Sequence, residues 1–370
     1  MPDRIPALDV LRGVAILGTL ASNVWLFTAV GGPAALLKGG VDATDAVRTA
    51  LITLSNGKFL ALLTLLFGVG LEIQYGSAVR RGVPWPGRYP VRAAILFVEG
   101  LLHYLLVFEF DVLMGYAITS LLVAHLIGRS DRVVRAWMWG SGSVFAVVLL
   151  GVTALLVTAP PTTASVPVPA GSTASWTAQV AERVTGFALF RAELLLIVPS
   201  AAVLFLLGSR LLRAGAFDAG GTRLRRRLAV AGLGVGVPIN ALTALAGPGW
   251  VLVDRYLVPP LVALGLLGAI TELVARTRGG VLRCGLAAVG RTALSCYVLQ
   301  NALAAALCFD WGLGLATRFT DARPWWVVGL WAGISLVLLL AAPAWLRRFP
   351  RGPVELLTHH LYRGGSDVRA

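Results

Sequence analysis

This chain is short of charge. Only 14% of its 370 residues are Asp, Glu, Lys or Arg, while 57% are hydrophobic. Soluble domains carry about 25% charged residues, so the composition excludes an ordinary water-soluble globule. Acids are scarcer than bases, 18 against 32. Cysteine is scarcer still. Cys284, Cys296 and Cys308 are the only three, and twelve-residue steps rotate a helical position by about 120°, so they share no face. That argues against a disulfide framework and leaves no metal-ligand spacing. Also missing are the alternating strands of about ten residues that build a transmembrane barrel, a convincing internal repeat, and any segment large enough for a separate soluble domain.

What is present is a series of apolar stretches of roughly twenty residues, the length that crosses a hydrocarbon core of about 30 Å as helix. The expected fold is therefore all-α and polytopic, a single domain over 1–370 with about ten transmembrane helices. They fall near 8–30, 58–75, 91–108, 112–128, 134–158, 186–208, 228–246, 251–275, 287–308 and 325–346. The first could pass for a secretory signal. Its apolar run exceeds the usual h-region of roughly 7–15 residues, and Asp9 and Arg12 stand at its start, so it reads as an uncleaved helix.

Taking alternate connections as one side, the side that includes both termini holds three quarters of the 32 Lys and Arg. "RRGVPWPGRYPVR" (80–92) and "GTRLRRR" (221–227) are its densest runs. The positive-inside rule then puts both termini in the cytoplasm. The basic excess reads as orientation and as attraction to anionic lipid headgroups. The expected partner is the lipid bilayer, of a bacterial plasma membrane, and not nucleic acid. Residues 1–158 are expected to form the N-terminal helices and 186–370 a C-terminal helical region. Between them, 159–185, opening with "APPTTASVPVPAGSTASW" (159–176), is expected to be a flexible outer loop.

The polar departures gather at similar depth. "FVEGLLHYLLVFEFDVLMGYA" (97–117) contains Glu99, His103, Glu109 and Asp111. His103 lies twelve residues beyond Val91, about 18 Å at 1.5 Å per residue, which is past the midplane. Glu99 precedes it by four residues, on the same helix side, and Glu109 and Asp111 fall in the following turn. Asn23, Lys58, Asn240, Asp254, Arg255, Gln300 and Asn301 lie in the outer halves or at the outer ends of their spans. An ionisable group at the bilayer centre costs about 3 kcal/mol on insertion scales and by default faces the bundle interior or a watery cavity. A hydrated, outward-facing pocket accommodates these groups together.

Blander readings stand beside that one. Glu109, Asp111, Lys58 and Arg255 could be headgroup-level charges, and Asn23, Asn240 and Asn301 interhelical glue worth about 0.6 kcal/mol each. His103 resists such a reading, because neutral imidazole needs two partners in a dry environment; Glu99 is one candidate. Elsewhere, "ALDVLRGVAILG" (7–18) sets Asp9 and Arg12 at i, i+3, with Gly13 next. This is either an interfacial ion pair with a snorkelling arginine, or an Arg12 that holds a phosphorylated donor beside a Gly13 that admits a close helix.

Five motifs, in order along the chain, resemble the YeiB-like bacterial membrane proteins. They are "RIPALDVLRGVAILGTLASN" (4–23), "KFLALLTLLFGVGLEIQ" (58–74), "EGLLHYLLVFEFDVLMGYA" (99–117), "VGRTALSCYVLQN" (289–301) and "WLRRFPRGPVELLTHHLYR" (345–363). The last two are similar to the C-terminal region known as domain of unknown function family 418. Two positions depart from the pattern: Phe110 stands where Gly usually precedes the motif Asp, and Cys296 where Asn is usual. Both bear on the expected pocket and so on acceptor preference. More distantly, the family resembles heparan-α-glucosaminide N-acetyltransferase and related membrane acyltransferases.

That resemblance implies transfer of an acyl group, usually acetyl from acetyl-CoA, to a hydroxyl or amine on a sugar, lipid or secondary metabolite. His103 would be the general base, with Glu99 or Asp111 orienting it. Asn23, Gln300 or Asn301 would serve the oxyanion, and Lys58, Asn240 and Asp254 the acceptor. Arg12, Gly13, Arg88 and Arg92 would hold acyl-CoA, and no metal is expected. The rival reading is a proton-coupled small-molecule transporter or exporter, with His103, Glu99 and Asp111 as a proton relay and Asp254 in the substrate path. Against it, paired Gly- or Pro-broken helices are not evident in the sequence. A scaffold without catalysis is a third possibility, and the sequence leaves homo-oligomerisation open.

Overall fold

A computed structural model describes residues 5–33, 46–158 and 173–364. Among these there is no strand. The first half comprises α1 (Pro6–Phe27), α2 (Ala46–Ser55), α3 (Lys58–Arg80), α4 (Tyr89–Leu106), α5 (Leu113–Leu126) and α6 (Asp131–Thr158). Then come α7 (Trp176–Thr185), α8 (Phe187–Arg191), α9 (Leu194–Arg213), α10 (Thr222–Gly234), α11 (Gly236–Leu245) and α12 (Pro259–Arg276). The chain continues with α13 (Val281–Arg291), α14 (Ala293–Cys308), α15 (Leu315–Arg318), α16 (Trp325–Leu346) and α17 (Pro353–Gly364). Local chemistry sets several starts. Proline opens α1, α4 and α12, where its fixed φ suits the first turn and its missing N–H costs nothing. Ser175 caps α7 by accepting from the Ala178 N–H at 3.4 Å.

Eight stretches among the described residues are long and apolar enough to cross a membrane, and nine if α13 and α14 count as one broken span. With exposed apolar side chains such as Val147, Leu155, Leu242 and Leu340 on their outer faces, they make this an all-helical, multi-pass membrane protein. All ten expected segments are helical at their centres, but two differ from the straight crossings expected. The segment 112–128 yields only the 14-residue α5, about 21 Å long at 1.5 Å per residue. The segment 287–308 bends by 93° between α13 and α14.

The bend has a packing cause on each side. On the near side, α1 and α13 cross backbone against backbone. A Cβ on Gly13 would lie 2.0 Å from the Leu286 carbonyl oxygen, and one on Gly290 1.8 Å from that of Asp9. Glycine is what permits so close a crossing. On the far side, the first amides of α14 are bound by Glu355 of α17. The outer loop differs from expectation too: 176–185 is helix α7 with Gln179 and Arg183 buried, while 159–172 lie outside the described residues. Where α1, α4 and α14 end, buried Phe27 stacks on Phe108 with centroids 4.6 Å apart and lies tilted against Phe309 at 5.7 Å.

Candidate functional site

The connection between α4 and α5, residues 107–112, brings the charged groups inside. Two arginines hold its shape. Arg183 of α7 donates to the carbonyls of Leu105 at 3.0 Å and Val107 at 3.1 Å, and its Nη2 lies 3.4 Å from Glu109 Oε1. Arg191, at the end of α8, donates to the carbonyls of Asp111 at 2.9 Å and of Glu109, and its guanidinium lies 4.2 Å from the centre of the Tyr104 ring. These guanidinium groups satisfy backbone oxygens that the turn leaves without helical partners. Glu109 and Asp111 are therefore buried inside the protein.

Asp111 is the hub. Its Oδ1 accepts from the amides of Leu113 at 2.9 Å and Met114 at 3.4 Å, capping α5. Its Oδ2 lies 2.8 Å from His103 Nδ1 and accepts from the Tyr297 hydroxyl at 3.5 Å. With Nδ1–H donating to the carboxylate, Nε2 is left as the basic nitrogen. It sits 3.2 Å from Asn301 Nδ2. The Tyr297 ring covers the imidazole, with centroids 5.0 Å apart. Asp111, Gln300 and Asn301 are fully buried and His103 nearly so. Gly100 makes the arrangement fit: a Cβ there would lie 2.7 Å from the Met114 nitrogen and 3.0 Å from Asp111 Oδ1.

Of the expected residues, His103, Asp111 and Asn301 thus form one chain, Asp111–His103–Asn301, drawn from α4, the 107–112 turn and α14. Gln300 is next to it in sequence, and neither of its buried amide atoms has a hydrogen-bond partner among the described residues. Glu99 does not orient the histidine: its Oε1 takes the Thr358 hydroxyl of α17, and Asp111 has the ring nitrogen instead. The reason is tertiary: the turn folds Asp111 back onto the ring nitrogen, while Glu99, on the same side of the helix, is taken by Thr358 of α17. Asn23 is half-buried on α1, one turn before Phe27, and makes no hydrogen bond to the histidine.

Lys58, Asn240 and Asp254 meet in a second cluster. Asp254 Oδ1 accepts from Asn240 at 2.7 Å and Thr243 at 3.3 Å, and its Oδ2 from Asn56 at 2.8 Å. Arg255 donates to Asn56 Oδ1 at 3.1 Å, and buried Lys58 donates to the Thr53 carbonyl. Gly57, at φ +70°, breaks the chain between α2 and α3, and its missing side chain admits the Arg255 carbonyl. A small cavity bounded by Gly57, Thr64, Val112, Tyr116, Arg255 and Tyr256 lies between the two clusters.

The expected donor residues lie on two helices. Arg12 Nη1 is 3.9 Å from Asp9, whereas Arg88 and Arg92 sit where α4 begins, with Arg88 donating to the Tyr362 carbonyl at 2.8 Å. The two departures from the motif pattern also have separate places. Phe110 packs edge-on to Phe190, centroids 6.2 Å apart, and Cys296 Sγ lies 3.3 Å from Thr292 Oγ1 at the bend. Among the described residues no group of three or more His, Cys, Asp or Glu is placed to hold a metal ion. Arg183, Arg191 and Tyr297 were not among the expected residues. The one signal for the arginines is a cation inside a long apolar stretch, "FALFRAELLL" (187–196) for Arg191.

Fold and site together define a multi-pass helical membrane protein with a buried carboxylate–histidine pair, closed from one side by the N-terminal helices and from the other by α14. Residues 211–365, which include α14 and α17, match the family described as Protein of unknown function (DUF418). The chain is 29% identical over 398 residues to "Uncharacterized protein YeiB" of Escherichia coli (strain K12), covering 97% of this chain and 96% of that protein. It is also 26% identical over 142 residues to "Uncharacterized protein YxaH" of Bacillus subtilis (strain 168), 36% of this chain and 35% of that one. A third relative is an uncharacterized 39.9 kDa protein from the amylase 3' region of Bacillus acidopullulyticus, 31% identical over 106 residues, 28% of this chain and 29% of the other. The chain is YeiB-like along nearly its whole length and carries a DUF418 domain in its C-terminal region.

Proposed function

We propose that this protein is a membrane acyltransferase that moves an acyl group, acetyl in the first instance, from acyl-CoA to a hydroxyl or amine of a sugar, lipid or secondary metabolite. The observation that carries the reading is the Asp111–His103–Asn301 chain, with Asp111 2.8 Å from Nδ1 and an amide 3.2 Å from Nε2. A carboxylate that fixes one imidazole nitrogen makes the other a directed base.

In the reaction, Nε2 accepts the proton of the acceptor hydroxyl as its oxygen bonds to the thioester carbonyl carbon. Asp111 stabilises the imidazolium that forms, without taking its proton. The Asn301 amide, or that of Gln300, donates to the tetrahedral oxyanion. The carbon–sulfur bond then breaks, and His103 returns its proton to the leaving thiolate. General-base catalysis of this kind contributes typically about 10²–10⁴-fold. Arg12, next to Gly13, and Arg88 and Arg92 are assigned to the phosphates of acyl-CoA. Under the positive-inside reading both termini face the cytoplasm of a bacterial plasma membrane, and the histidine lies toward the outer half.

The decisive experiment is transfer from labelled acetyl-CoA by the purified protein to a panel of sugars and hydroxylated small molecules, beside a folded His103→Ala variant. Label moved by wild type and not by the variant supports the reading. If neither transfers and wild type does not bind acetyl-CoA, the reading fails. A transporter would then be favoured, and one observation already speaks for it. Helices broken at Asn56–Gly57 and wound as a π-turn over Val253–Leu257 meet around Asp254, an arrangement transporters use at substrate sites.

A further inference from the structure

A cavity of about 420 Å³ opens at the end of the bundle where α1 begins and α16 ends, away from the histidine. Three helices converge on it. Its basic groups are Arg283 and Arg291 of α13 and Arg347, which follows α16; its walls include Pro6, Val10, Ala287 and Leu346. Arg283 is fixed in place by donating to the carbonyls of Val274 at 3.0 Å and Thr277 at 2.7 Å. The acid in the cavity, Asp9, is engaged with Arg12. Among the described residues no carboxylate pairs with Arg291 or Arg347. Positive charge is thus concentrated in a concave space whose surface, Asp9 apart, is otherwise mainly apolar.

We propose that this cavity binds a phosphate group carried on an apolar stem, with the phosphate on Arg291, Arg347 and Arg283 and the stem along the wall. Guanidinium groups match phosphate oxygens through paired N–H donors, and basic pockets between membrane helices take anionic lipid headgroups in this way. An anionic phospholipid supplies both parts. The phosphates of an acyl-CoA are the other source of the same chemistry; only that source rests on the acyltransferase reading, and it would move the donor's phosphates from Arg12, Arg88 and Arg92 to this cavity.

Cys284 lines the cavity and is exposed, while Cys296 and Cys308 are buried, so one thiol reports on occupancy. The full chain in an uncharged detergent would be labelled with a maleimide in the presence of phosphatidylglycerol, phosphatidylcholine or acetyl-CoA. Phosphatidylglycerol is expected to slow labelling of Cys284 and phosphatidylcholine to do so far less. An Arg291→Gln/Arg347→Gln variant should need roughly tenfold or more phosphatidylglycerol for the same protection. Arg226→Gln/Arg227→Gln, which removes equal charge from the exposed face of α10, should behave as wild type. Protection by acetyl-CoA alone, lost in the first variant, would support the same site with the donor as the source of phosphate. Absence of protection by either ligand, survival of protection in the first variant, or equal loss in the α10 variant would overturn the proposal.

Discussion

Glu355 accepts the backbone N–H of Leu294 at 2.9 Å and that of Ser295 at 3.3 Å, across sixty residues of chain. The carboxylate replaces the helical partners that α14 lost when it bent away from α13, and it also takes the Ser295 hydroxyl. Two motifs that stand far apart in sequence, "GRTALS" and "GPVE", are in this way the two halves of one helix cap. Asn301, the partner of His103, sits two turns further along the helix that is capped.

Replacing Glu355 by Ala removes that cap, a change that costs about 0.5–2 kcal/mol at helix N-termini. The variant should unfold at lower temperature in detergent, and hydrogen exchange should speed up first at the amides of Leu294 and Ser295. Unchanged protection there would mean that the bend is held by other contacts.

Asp111→Asn keeps the size of the side chain and its acceptor for the Leu113 and Met114 amides. It presents an N–H to His103 Nδ1, which drives the ring proton to Nε2 and removes the base. Acetyl transfer should fall by about 10²–10⁴-fold with thermal stability little changed. Equal activity would take the histidine out of the proton transfer.

Gly100→Ala puts a methyl group 2.7 Å from the Met114 nitrogen and 3.0 Å from Asp111 Oδ1. Backbone cannot yield there cheaply, so overpacking should destabilise by about 1–3 kcal/mol. Thermal unfolding measures that, and the transfer rate should drop more than in Glu355→Ala, because the strain falls on the carboxylate itself.

Arg183 and Arg191 hold carbonyl oxygens that no helix satisfies. Each buried polar group left unpaired costs about 1–3 kcal/mol, so Arg191→Leu should give little monodisperse protein on size-exclusion chromatography. Arg191→Lys keeps the charge but lacks the forked donors that reach Glu109 and Asp111 together. It should be recovered in intermediate yield.

Asp310 lies beyond the end of α14, where hydrogen bonds from Thr173 and then Thr317, at 2.5 and 2.8 Å, hold its carboxyl below the ordinary value of 3.8. A folded-state value lowered in this way contributes stability that is complete above pH 3.8 and is lost as the pH falls through the folded value. The group is exposed, so the effect is small. Melting temperature followed downward from pH 5 should therefore fall slightly less for Asp310→Asn than for wild type.

Hydrophobic run length alone determined that this chain is helical and multi-pass, because an apolar helix must match the bilayer whatever it packs against. The placing of His103 and Asp111 near one another was legible as well, since a short turn between two apolar helices keeps residues eight apart close in space. Which acid meets the ring was not. Glu99 has the better spacing along the helix, and only the turn, clamped by Arg183 and Arg191, carries Asp111 to Nδ1. The bend at Thr292 was equally hidden: apolar composition runs straight through it, and its causes are the Gly13–Gly290 crossing and Glu355, each a contact between distant parts of the chain. Local sequence determines which segments enter the membrane. Tertiary packing decides which polar atoms find one another there, because a buried group takes whatever partner the fold brings within hydrogen-bonding reach.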